Sequence, residues 1–442
     1  MASRPIHTFL DGQGKTRLLE IKPGGVLTVE WVEFQNGKAT AEMGRGGAVK
    51  NEGKFEAVRC AFTSSSSATD GGALANAAGA VSLLFSCAFT GNVASHNGGA
   101  IWCDFAGGLS VQLTDSVLSS NRAEARGGAI ATEGGGINLY QTSVVGNHAR
   151  LEGGGLMVFD GSSLAENSLF AKNTSDAVPP IDPAEDGSGP LFSQGYNLFE
   201  APGRLAFVPG SASTDQRGKP AGLVDGDIRL KPDSPAINGG DPALVPNANS
   251  TDIFGNPRIV GGRIDIGAVE FQGTPEDWAL TFFGEAVANN PGQAATVHGP
   301  AADPDKDGVP NLLERALGGN PTSPSQTRDD GTPLLPEVAR TGAAAGGARE
   351  PRDGEERLAF RFTLDERYTD LRYTVQISED GAAWADEASF LPLGAGLGFR
   401  RDPAPGGLTA PGVTSVLRFL HHVSETLSFL PGDRRLVRLR VN

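Results

Sequence analysis

Five glycine pairs recur along the first third of the chain: Gly46-Gly47, Gly71-Gly72, Gly98-Gly99, Gly127-Gly128 and Gly153-Gly154, at intervals of 25, 27, 29 and 26 residues. Four are followed by a small and then an aliphatic residue ("GGAV", "GGAL", "GGAI", "GGAI"), and the fifth, "GGGL", keeps the leucine. A second mark has a fixed place in each repeat. "CAFTGN", "SVLSSN", "TSVVGN" and "SLFAKN" end at Asn92, Asn121, Asn147 and Asn173, with Phe89, Leu118, Val144 and Phe170 three positions earlier. The first copy, "CAFTSS", lacks the asparagine. A repeat of this length cannot bury its apolar face alone and must stack on its neighbours.

Helical pairs, leucine-rich repeats and coils of a parallel β-helix all have periods in this range. Glycine doublets and β-branched runs in every unit exclude helical pairs, and the leucine lattice of leucine-rich repeats is missing. The β-helix fits. "GAVSLLFSCAF" and "GLSVQLTDSVL" alternate or run apolar, while glycine and asparagine occupy corners that want positive φ or side-chain hydrogen bonds to the backbone. The 61 glycines and 29 prolines among 442 residues agree with many turns and short strands. Each strand then pairs with its equivalent one coil away, about 4.8 Å distant. Equivalent asparagines stack as a hydrogen-bonded ladder and equivalent apolar residues as a continuous core. Cys60 and Cys87 share one position and read as a stacked pair of buried thiols. The third cysteine, Cys103, completes neither a disulfide framework nor a zinc pattern.

Together, "GGA[I/L/V]" and "F-x-x-N" resemble the repeats of chlamydial-type polymorphic outer-membrane proteins and related bacterial surface β-helices, over roughly residues 8–174. The resemblance implies a right-handed, pectin-lyase-like solenoid on an exported protein, extracellular or at the cell surface, with a surface glycan or protein as partner. The N-terminus lacks the apolar core of a signal peptide. "LDGQGKTRLLEIKPGGVLTVEWVEFQNG" looks like a coil from the middle of such a solenoid, so Met1 is not expected to be the biological start. "LKPDSPAINGGD", "TDIFGNPR" and "DIGAVE" resemble the closing coils of choice-of-anchor β-helix proteins, and the solenoid is expected to end near Gln272. Asp252, Arg258, Asp265 and Glu270 suit the polar capping of its open strand edges.

A formal net charge of −15 disfavours nucleic acid and anionic membranes, and no apolar run is long enough for a membrane span. A monomer is expected. Because β-helices host polysaccharide lyases and glycosidases, acidic columns need testing. Counting from the glycine pairs, Glu52, Asp104 and Glu133 share one offset, with Asp160 one step further. Asp104 and Glu133 would lie about one strand spacing apart, near the separation of a retaining glycosidase pair. The competing reading is a solvated turn column. It is favoured because no lyase-type basic cluster, aspartate-pair motif, Ser-His-Asp elbow, Walker loop or dinucleotide fingerprint accompanies the acids.

After a predicted helix at "TPEDWALTFFGEA" comes "DPDKDGVPNLLE". With Asp303 as position 1, Asp305 falls at 3, Asp307 at 5, Gly308 at 6, Val309 at 7, Asn311 at 9 and Glu314 at 12. Alternate carboxylates converge on one centre, the glycine permits a sharp bend, Val309 offers its carbonyl, and Glu314 reaches back from the following helix. Hard oxygen donors in this number point to Ca2+ rather than zinc or copper. The stretch resembles the single loops of dockerins and thrombospondin type 3 repeats, which implies structural calcium outside the cell.

Residues 320–356 read as a linker. Beyond them, "LAFRFTL", "LRYTVQIS", "VTSVLRFLHH" and "RRLVRLRV" predict a small antiparallel β-sandwich, with Asp380-Gly381 as a hairpin signal. The expected organisation is a mainly β chain: a parallel β-helix over 1–272, a helix plus calcium loop over 273–320, a linker over 321–356 and a sandwich over 357–442.

Overall fold

The computed structural model of the chain describes residues 8–105, 107–161, 163–176, 185–244, 250–260, 263–324 and 335, residues 368 and 370–372, and the strands between 337 and 441. The chain divides into two compact units, Met1–Phe271 and Gln272–Asn442.

The first unit is a parallel β-solenoid of about seven turns. In each coil the chain meets four stacks of strands in order. The coil after Gly98-Gly99 shows them as Ile101–Cys103, Leu109–Thr114, Val117–Ser119 and Arg122–Ala123. Each pairs in parallel with its counterparts in the adjacent coils, such as Ile101 with Leu74 and Ile130. The strand Gly187–Gly195 spans a corner and joins the first two stacks into one fourteen-stranded sheet. The third stack holds nine strands and the fourth six.

Alternation explains which side chains enter the core. In Val81–Phe85, Ser82 and Leu84 are buried while their neighbours are partly exposed. The third stack contributes one inward residue per coil, the apolar member of the F-x-x-N mark. Phe34, Phe62 and Phe89 stack face to face, with centroids 4.8 and 4.4 Å apart. Leu118 and Val144 continue the column to Phe170 and Phe199, whose rings stack at 4.9 Å. Three residues on, the asparagines form the expected ladder. Each Oδ1 of Asn121, Asn147 and Asn173 accepts both the backbone N–H and the Nδ2 of the preceding asparagine at 2.9–3.0 Å. The ladder ends on Asp186, and Ser65, which replaces the first asparagine, still donates its N–H to Asn92. The left-handed turn falls one residue earlier than the asparagines, at Gly91, Ser120, Gly146 and Lys172.

Sequence reading placed strand and turn texture to the end of the solenoid near Gln272, but the last stacked strand is Gln216–Arg217. The core closes against Leu205 and Phe207, with the Arg217 guanidinium 3.4 Å from the Phe207 ring centre. The following segment makes turns and isolated bridges and returns along the flank of the third stack. Ile253, Ala268 and Val269 pack on Val117, the Ser143 hydroxyl accepts the Ala268 N–H at 2.9 Å, and Arg258 pairs with Asp115 at 3.3 Å. Asp252, Arg258, Asp265 and Glu270 are therefore buried in this flanking clasp rather than spread over the strand edges.

In the second unit, helix α1 (Pro275–Phe283) has a Thr274/Asp277 capping box and buries Trp278, Ala279 and Leu280. The short helix α2 (Glu285–Ala288) follows. Helix α3 (Asn311–Leu317) ends on Gly318 in the left-handed conformation. Glu337–Thr341, assigned to a linker from sequence, is instead an edge strand antiparallel to Arg357–Asp365. Two four-stranded antiparallel sheets complete the unit. The turn carrying Asp380-Gly381 lies outside the described residues, while its flanking strands Tyr373–Ser378 and Ala385–Pro392 pair as a hairpin.

Candidate metal centre and the acidic column

The loop before α3 gathers its carboxylates. One oxygen each from Asp303, Asp305 and Asp307 lies within 4.8 Å of the others. Backbone turns hold them there: the Gly308 N–H donates to Asp303, the Asp307 N–H to Asp305 and the Val309 N–H to Asp307, at 3.1, 3.3 and 2.7 Å. Gly308 takes φ 92°, the bend expected of position 6.

Glu314 is fully buried on α3, and neither of its carboxylate oxygens has a hydrogen-bond partner among the described residues. Asp303 Oδ1, Asp305 Oδ2 and Asn311 Oδ1 are buried and orphaned in the same way. Buried carboxylate oxygens without donors are costly. Burial, then the charges of Asp305, Asp307 and Asp303, pushes the Glu314 carboxyl up to about 8. Burial also raises Asp305. Asn311 spends its Nδ2 on the Val297 and Gly299 carbonyls at 2.8 and 2.9 Å. This fixes the amide so that its oxygen is the atom left over. The donor set is all oxygen, which fits a hard divalent cation. Val309 is buried beside it, with its N–H already used.

Asp104 and Glu133 follow the paired residues Cys103 and Thr132 in adjacent coils of the first stack. A bulge after Thr132 brings Glu133 opposite Asp160, absorbing the one-residue offset between them. Glu133 is exposed. Asp104 is bound by Arg45 at 2.6 Å, and Arg45 also holds Asp70 at 3.0 Å while lying 5.0 Å from the Trp102 ring centre. Trp102, beneath that guanidinium, is only 2% exposed, so it offers no open stacking platform.

Arg45 was not singled out from sequence, although the signal was present in the repeats. It occupies the position before the glycine pair, and so do Asp70, Asn97, Arg126 and Glu152. Neighbours in this column are complementary: Arg45 with Asp70, Asp70 with Asn97 at 3.1 Å, and Arg126 with Glu152 at 2.5 Å.

The Chlamydia polymorphic membrane protein (Chlamydia_PMP) repeat family matches residues 86–104. That segment runs from the F-x-x-N mark through the next glycine pair to the strand Ile101–Cys103. No curated protein and no solved structure matches the chain. Fold and family match agree on a mainly β chain with a parallel solenoid built from a repeat akin to that of bacterial surface proteins. Among the described residues, no helix is long and apolar enough to cross a membrane.

Proposed function

We propose that the chain is a non-enzymatic, exported surface protein, an adhesion or scaffold solenoid with a structural calcium site. In this reading the solenoid winds right-handed, the two C-terminal sheets pack as a sandwich, and the loop works like those of dockerins and thrombospondin type 3 repeats. Glu314, Asn311 and the three aspartates would supply the oxygens, with the Val309 carbonyl as a further donor. Calcium would neutralise a cluster that otherwise repels itself. The observation that carries the calcium reading is Glu314: fully buried, with both oxygens unpartnered, beside three convergent aspartates. The surface assignment draws on the solenoid and its family match.

The alternative, a polysaccharide lyase or glycoside hydrolase at Asp104 and Glu133, draws less support. Asp104 is engaged by Arg45, and Trp102 lies covered beneath it.

Calorimetric titration tests the calcium reading directly. Calcium is expected to bind one site per chain and, at a hundredfold excess over Kd, to stabilise the unit by about 2.7 kcal/mol. Asp305→Ala combined with Glu314→Ala should abolish both the heat and the thermal shift. A melting curve identical in calcium and in chelator would refute the site.

A further inference from the structure

Helix α3 carries two adjacent buried ionisable side chains with different surroundings. Glu314 lies among Asp303, Asp305 and Asp307 with neither oxygen satisfied. Arg315, 4% exposed, donates to both oxygens of Asp370 and to the Gly273 carbonyl at 2.6 Å, and sits 4.4 Å from the Tyr368 ring centre. One residue further, the Ala316 carbonyl accepts the Tyr373 hydroxyl at 2.8 Å. Tyr368, Leu371 and Tyr373 are buried, and Tyr368, Asp370 and Tyr373 fasten the approach to the strand Tyr373–Ser378 onto α3. That strand is interior to its sheet, between Ala385–Pro392 and Leu436–Val441. Helix α3 also touches Arg357–Asp365 of the other sheet.

We infer that cation occupancy of the acidic loop sets the stability of the C-terminal sheets, transmitted through α3. The inference rests on the calcium reading. At seven residues, α3 is too short to be stable as an isolated helix. Its order depends on anchors at both sides: Glu314 and Asn311 toward the loop, Arg315 and the Ala316 carbonyl toward the sheets. Without a cation, the three convergent aspartates repel one another and Glu314 keeps two buried oxygens without donors, and displacement of the first turn of α3 relieves both. That displacement draws Arg315 and the Ala316 carbonyl away from Asp370 and Tyr373. With a cation, the loop anchor holds the helix where the sheet contacts need it. Coupling of this kind is reciprocal, so weakening the sheet contacts weakens cation binding by the same factor.

Hydrogen exchange on the full chain, in saturating calcium and in chelator, reads the coupling, and calorimetry on the same samples reads binding. Peptides from Tyr373–Ser378 and Leu436–Val441 should exchange about 100-fold more slowly at a hundredfold excess over Kd, while solenoid peptides stay unchanged. Tyr373→Phe removes one hydroxyl and little volume. It should still give heat on calcium addition, with the affinity weakened and the calcium-dependent slowing cut by the same factor of about ten. Binding heat with no slowing in the sheet peptides would overturn the inference and leave the calcium reading standing. Full slowing in Tyr373→Phe would overturn the route through α3. Neither heat nor slowing would overturn both readings.

Discussion

At the second glycine of each pair there is no room for a methyl group. A Cβ on Gly128 would lie 2.0 Å from the Gly154 carbonyl oxygen and 2.6 Å from the His148 backbone, and one on Gly99 would lie 2.0 Å from the Gly128 carbonyl. The first glycine is crowded too, by the carbonyl three residues on in its own coil (2.4, 2.1 and 2.3 Å at Gly71, Gly98 and Gly127), and it meets a conformational demand as well, with φ between 63° and 68°. The first is needed for its backbone angle and the tightness of its own turn, the second for the closeness of the next coil. Gly128→Ala should therefore cost about 3 kcal/mol or more, since the clash is with rigid backbone in a packed coil. Gly79→Ala, with positive φ but nothing within 4 Å, should cost only about 1 kcal/mol. Denaturant midpoints of the two variants decide it, and equal losses would refute the stacking account. The pairs were legible in sequence because translation repeats each constraint every coil. The division of labour within a pair was not, because it depends on a carbonyl some 27 residues away. The convergence of Asp303, Asp305 and Asp307 was legible for the converse reason: their spacing is local. The amide of Asn311, held by Val297 and Gly299, depends on a preceding turn that no spacing rule describes.

Among the elements, the clasp after the solenoid concentrates the buried charge. Asp265 accepts the Asn238 and Phe271 N–H groups, and Glu270 accepts those of Val260 and Asp265. Arg258 lies 3.5 Å from Glu270 and 3.3 Å from Asp115. Burial, opposed by those N–H groups and by Arg258, pushes Asp265 up to about 7, and burial plus the Asp265 charge pushes Glu270 to about 9. The folded clasp thus holds protons that the unfolded chain releases near pH 4. Because the folded state binds more protons, this contribution to stability falls as pH rises through 7 toward 9. Chemical denaturation of the first unit should show that decline between pH 6 and pH 9. Glu270→Gln should cost about 1–3 kcal/mol, through an N–H left without its acceptor, yet flatten the slope. A wild-type slope that rises with pH would contradict the account. From sequence, Asp252, Arg258, Asp265 and Glu270 read as a polar cap over the solenoid's open strand edges. That reading sent them to the wrong surface because their partners, Asn167 and Asp115, are far away in the chain.

For the whole molecule, the two units are built on different principles. The solenoid derives its order from translation: stacked phenylalanines, an asparagine ladder and in-register strands, all within Met1–Phe271. Nothing in that list needs a metal. The second unit has no repeat, which is why its strands His422–Phe429 and Glu337–Thr341 went unrecognised in sequence while the solenoid did not. In place of a repeated core it has a seven-residue helix holding Glu314 on one side and Arg315 on the other. A protein so divided should unfold in two calorimetric steps. Calcium should raise only the step belonging to Gln272–Asn442, and chelator should lower only that one. A shift from pH 6 to pH 9 in saturating calcium should act mainly on the other step, through Asp265 and Glu270. A single transition that moves as a whole with calcium would show that the units do not melt independently, and the division of roles drawn here would fall with it.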